Sequence, residues 1–144
     1  MLRHYDTATT ALPGDLAQLD MIVDRLAAQV RSGQPPRPIL FLAVAREAVG
    51  HLKYIGRWDV REMLDLLVGK QHDYGHHNID SFGLTGLVVR LSDKVARLAN
   101  LAKRNTDYTF NEPVLDTWRD IVGYCVIAEM WMDRTFHLDL KESA

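Results

Sequence analysis

Apolar residues recur along this chain at intervals of three and four, the spacing that turns one face of a helix inward. Leu16, Leu19, Val23, Leu26 and Val30 predict a helix over 15–31, with Gly33 as its stop. Gln34-Pro35-Pro36-Arg37-Pro38 then breaks the chain. The stretch from Ile39 to Val49 is almost continuously apolar, and its alanines (Ala43, Ala45, Ala48) favour a buried helix over a strand. Asp59 with Glu62 resembles a capping box, opening a helix that carries Val60, Met63, Leu64 and Leu67 and ends near Gly75. After a loop over 75–83, Leu84, Leu87, Val88, Leu91, Val95, Leu98 and Leu101 stripe a helix over 84–104. Its opposite face carries Arg90, Asp93, Lys94, Arg97 and Arg104. A polar loop leads to the last helix, with Asn111 as N-cap and Pro113 in the first turn.

These elements predict one all-α domain over residues 1–144, a four-helix bundle with an additional N-terminal helix. Residues 1–37 form the N-terminal helix and Pro-rich linker, 38–135 the bundle, and 136–144 a short tail.

The last helix bears a line of acids. Glu112, Asp116 and Asp120 recur at i, i+4 and i+8 and stack along one face, amid Val114, Leu115, Trp118, Ile121 and Val122. Like charges at that spacing cost roughly 0.2–0.5 kcal/mol per pair, and Asp is a poor helix-interior residue. A half-buried helix that accepts both calls for a counter-charge, and a divalent cation is one natural candidate. The helices either side of the polar loop form an antiparallel hairpin. Counting from the turn sets Asp93 within about one turn of the height of Asp120. Asp93 can therefore share a site with Asp116 and Asp120, with Arg90, Lys94 and Arg97 nearby. Carboxylates for Mg²⁺ or Mn²⁺ beside cations for phosphate oxygens are what triphosphate hydrolysis requires. The alternative is a set of solvated charges on two helix surfaces.

The end of the preceding helix, Lys70-Gln71-His72-Asp73-Tyr74-Gly75-His76-His77-Asn78, combines a lysine, an acid, an aromatic ring and an amide. Such a set can pair with phosphates, stack a base and hydrogen-bond its edge. It also reads as an ordinary polar helix C-terminus, with Gly75 past the cap and basic residues complementing the dipole. His76 and His77 read as loop residues, because neighbours rarely point the same way and no second Cys/His pair follows. Trp58, Trp118 and Trp131 sit at helical positions and read as core or interface. His51 and the His72-Asp73 dipeptide raise a second chemistry, that of HD-type phosphohydrolases.

Composition narrows this little. With 47% hydrophobic and 25% charged residues, the chain is of the ordinary globular class. A net charge of −2 argues against gripping nucleic acid by phosphate neutralisation alone. The lone Cys125 lies in an apolar stretch and reads as a small core residue. Without an apolar leader at Met1 or a run of about 18 apolar residues, a cytoplasmic location is expected and no membrane partner.

The segment from Lys70 to Ile127 resembles the small MazG-like proteins of phages and bacteria grouped as nucleotide modification associated domain 1. The resemblance rests on Lys70, Asp73-Tyr74-Gly75, Asn78, Phe82-Gly83 and Gly86. It continues through Arg90-Leu91-Ser92-Asp93-Lys94-Val95-Ala96-Arg97-Leu98, then Glu112, Asp116-Thr117, Asp120 and Tyr124. Larger relatives of that group are all-α pyrophosphohydrolases, commonly dimers or tetramers, that cleave nucleoside triphosphates to the monophosphate and pyrophosphate. Their Mg²⁺ or Mn²⁺ is held by acids on two facing helices, Glu-x-x-Glu and Glu-x-x-Asp. This chain departs from that pattern: only Asp93 stands on the first helix, and Asp116 and Asp120 are spaced by four. Asp73 or Glu112 is left to supply the missing carboxylate.

The resemblance implies a metal-dependent (deoxy)nucleotide pyrophosphohydrolase acting in the cytoplasm, the host's if phage-encoded, as a homo-oligomer. The expected metal ligands are Asp93, Glu112, Asp116 and Asp120. Lys70, Lys94 and Arg97 would meet the charge on the pyrophosphate, and Asp73, Tyr74, Asn78 and Arg90 would bind substrate. The reading leans to a purine, dGTP or dATP, although no residue fixes the base. An HD-type phosphohydrolase and a non-enzymatic helical interaction protein are the alternatives.

Overall fold

The computed structural model describes residues 16–104 and 111–138. It comprises α1 (Leu16–Arg31), α2 (Pro38–Tyr54), α3 (Val60–Tyr74), the single turn α4 (His77–Asp80), α5 (Gly83–Arg104) and α6 (Glu112–Met132). All regular structure among the described residues is helical. The predicted helix positions hold, with two additions: α2 runs past Val49 to Tyr54, and the loop after Gly75 contains α4.

Four long helices make the bundle. α2 packs on α6, α6 on α5, α5 on α1 and α1 back on α2. The first helix is thus a structural member of the bundle rather than an addition to it, and α3 is the outlying helix, leaning on α6. The pattern of α1 explains this: Leu19, Val23 and Leu26 are fully enclosed, a full apolar stripe that needs two neighbours. Burial of each such side chain contributes roughly 1.5–3 kcal/mol. Among its described side chains α3 buries only Met63 deeply and leaves Leu64 half exposed, so a weaker stripe gives a weaker attachment.

α6 is the central element. Val114, Leu115, Trp118, Ile121, Val122, Cys125 and Val126 are all enclosed. His51 of α2 is buried and stacks on Trp118, with ring centroids 4.1 Å apart. Burial pushes the Cys125 thiol well above its ordinary range, consistent with a small core residue.

Local signals set the helix ends. The Asp59 side chain accepts from the Glu62 backbone N–H at 3.0 Å, capping α3. Gly75 takes φ +65° and stops α3, a conformation that Tyr74 or His76 would adopt only with strain. α6 ends in the same manner on a less suitable residue, since Arg134 sits at φ +61°. There the Thr135 N–H reaches the Met130 carbonyl at 2.9 Å and the Arg134 N–H reaches Trp131 at 3.2 Å. Among the described residues, no helix is long and apolar enough to cross a membrane.

Candidate functional site

The weak seating of α3 on α6 leaves a cavity of about 610 Å³ between them. Its walls are apolar: Leu66, Leu67 and Val68 from α3, Ile127 and Met130 from α6, and Phe136 from the turn beyond. Gly123 also borders it. A Cβ there would stand 3.2 Å from the Leu67 side chain, so glycine sets how near α3 can come. Lys70, Gln71, Asn78, Lys94, Arg119 and Asp120 are polar residues of its lining, and Lys70 and Lys94 meet at Asp120.

Asp120 joins the two lysines. One carboxylate oxygen accepts from Lys70 Nζ of α3, and the other forms an ion pair with Lys94 Nζ of α5 at 3.0 Å. Three helices are tied through one side chain that is only 17% exposed. Charge-assisted bonds of this kind are about twice as strong as neutral ones. Arg119, the next residue back, is largely buried and spans Glu62 at 3.5 Å and Asp116 at 3.3 Å.

The predicted site residues divide accordingly. Lys70, Lys94 and Asp120 are brought together, and Asn78 lines the same cavity. Arg90 is half buried and donates to the Asn78 carbonyl at 3.3 Å, fixing the α4 turn to α5. Asp93 and Arg97 are exposed on α5 in an adjacent groove that shares Lys94 and Tyr124 with the cavity. Asp73 is exposed at the end of α3. The Tyr74 side chain lies outside the described residues. Glu112 and Asp116 are exposed and paired with Arg57 at 3.7 Å and Arg119.

The counter-charge demanded by the acid line therefore comes from the protein itself: Arg57, Arg119, Lys70 and Lys94 answer Glu112, Asp116 and Asp120 in turn. Among the described residues no three His, Cys, Asp or Glu side chains gather where they could hold a metal ion. The expected ligand set does not fit a resident ion in this arrangement, because its best-placed acid carries two lysines. The HD set does not gather either. His51 is enclosed against Trp118, while His72 and Asp73 face solvent.

Three features were not foreseen in the sequence. Arg119 borders the cavity, and its signal was its place three residues after Asp116, on the acid line's own helix. His76 is not a free loop residue: its Nδ1 is paired with the Gln71 amide at 2.6 Å, and its ring stands edge-on to Phe136. His137 is held by Asp80 at 2.5 Å, so the turn after α6 is clamped to α4 and closes one end of the cavity.

The glycines of the Phe82-Gly83 and Gly86 motif have packing roles. A Cβ on Gly86 would meet Phe82 at 2.7 Å, and one on Gly83 would press on the Trp131 ring at 3.3 Å. Comparison with protein-family models, curated proteins and solved structures finds no match to this chain.

Proposed function

We propose that this chain is a nucleotide pyrophosphohydrolase of the MazG-like class, converting a (deoxy)nucleoside triphosphate to its monophosphate and pyrophosphate. The observation that carries the reading is the cavity between α3 and α6, apolar on its walls and cationic where Lys70 and Lys94 meet at Asp120. Its volume suits a base and sugar, and Lys70 and Lys94 supply donors for phosphate oxygens. The order of motif residues from Lys70 to Tyr124 and the all-helical bundle support the class.

In this reading the apolar walls remove water from around the base. Asn78 and Gln71 are the amides that can meet its edge. Lys70 and Lys94, drawn together by Asp120, offer two ammonium groups to one phosphate chain, in the positions where negative charge grows as the bond breaks. Mg²⁺ and Mn²⁺ belong to the proposal through the resemblance, as does self-association into dimers or tetramers.

The test is product analysis with each common nucleoside triphosphate, in Mg²⁺, in Mn²⁺ and in EDTA. Equal amounts of monophosphate and pyrophosphate, with a loss of roughly 10²-fold or more in Lys94→Ala, support the reading. Release of triphosphate, single phosphates, or nothing at all contradicts it.

A further inference from the structure

The cavity does not end at Lys94. Beyond it lies a second hollow of about 890 Å³ along α5, and Lys94 and Tyr124 belong to the walls of both. Among the described residues its sides carry Arg90, Lys94, Arg97 and Lys103 against a single acid, Asp93. Arg90, Lys94 and Arg97 follow one another at steps of four and three and share one helix face, while Lys103, six residues further on, lies about a third of a turn round the helix and borders the same hollow. Ala96 and Ala99 keep the hollow open between them. From Lys94 to Lys103 the row rises by about 13 Å, at ~1.5 Å per residue. That is longer than a triphosphate anchored at Lys70 and Lys94 can follow.

We propose that this groove is a track for a linear polyphosphate chain running outward from the cavity. Resting on the nucleotide reading of the cavity, it makes the preferred ligand a nucleoside carrying more than three phosphates. Lys70 and Lys94 hold the phosphates nearest the sugar. Arg97 and Lys103 hold the distal ones, each forming charge-assisted bonds and releasing counterions.

The experiment is calorimetric titration of the full chain, at fixed ionic strength, with pyrophosphate, tripolyphosphate and a longer linear polyphosphate. Affinity rises by roughly tenfold or more from pyrophosphate to the longest chain, and that gain weakens as salt increases. The gain is lost in Arg97→Glu/Lys103→Glu and in the milder Arg97→Gln/Lys103→Gln. It survives in Arg25→Glu/Arg31→Glu, which makes the same charge change on exposed positions of α1. Equal affinity for all lengths overturns the track, as does a gain that survives both groove variants or disappears in the α1 control. Triphosphate hydrolysis without length dependence removes the track alone. Length dependence without hydrolysis removes the hydrolase reading and leaves the track standing.

Discussion

Removing the Asp120 carboxylate is the perturbation whose cost follows most directly from the geometry. In Asp120→Ala, the ammonium groups of Lys70 and Lys94 lose their shared counter-charge and repel each other at the side of an apolar cavity. A fully exposed pair would be worth about 0–1 kcal/mol, and breaking a fully buried one would cost about 3–5 kcal/mol. The side chains here are 17%, 26% and 44% exposed for Asp120, Lys94 and Lys70, which sets the expected loss between those limits, at about 2 kcal/mol. For a chain of this size that corresponds to a fall of about 4–8 °C in Tm. The assay is thermal unfolding followed by circular dichroism at pH 7. High salt should shrink the loss, because it screens the remaining repulsion. Replacing all three groups (Lys70→Met, Lys94→Met, Asp120→Ala) should recover most of it, since removing an entire buried ionic cluster is often neutral or better. A variant that melts within about 1 °C of the parent would refute the reasoning, as it would show that the three helices are not held through this side chain.

Other expectations are quicker to check. Arg134→Gly relieves a left-handed residue at the end of α6 and should stabilise by about 0.5–1 kcal/mol, raising the denaturation midpoint in urea without changing its slope. The Cys125 thiol should resist alkylation in the native protein and react at once on unfolding. Burial raises its folded pKa, so the folded state keeps a proton that the unfolded state loses. Stability is therefore unaffected by this group below about pH 8.5 and falls by up to ~1.4 kcal/mol per pH unit above it, measurable by urea titration between pH 8 and 10. Ile127→Trp places a larger ring in the cavity wall and should cut nucleotide affinity by roughly tenfold or more while helix content is retained, by calorimetry and circular dichroism.

The helices were legible because each carries its own evidence in consecutive residues: the stripe of α5, the cap at Asp59, the stops at Gly33 and Gly75. Their arrangement was less so. The stripes of α1 and α3 both read as helix faces, and only the depth of burial separates the bundle member from the outlier. Within the site, grouping Lys70, Lys94 and Asp120 was within reach, because chain order and the hairpin bring their helices together. The assignment of Asp93, Glu112, Asp116 and Asp120 as metal ligands took the acids of α6 to lack partners. Arg57 and Arg119 supply those partners, and only Arg119, three residues after Asp116 on the same helix, carries a spacing signal. The wall formed by Phe136 was also hidden, because the turn after α6 folds back through the contacts of His76 and His137 with Gln71 and Asp80.

The central claim is that a nucleotide occupies the cavity between α3 and α6 with its phosphates on Lys70 and Lys94. Its most direct test is a ¹⁵N chemical-shift titration of the full chain with a nucleoside triphosphate. The account predicts saturable shifts at Lys70, Gln71, Asn78, Lys94, Gly123 and Ile127, with α1 and the first half of α2 unmoved. Saturable shifts confined to α1 and α2, or none at millimolar nucleotide, would contradict it.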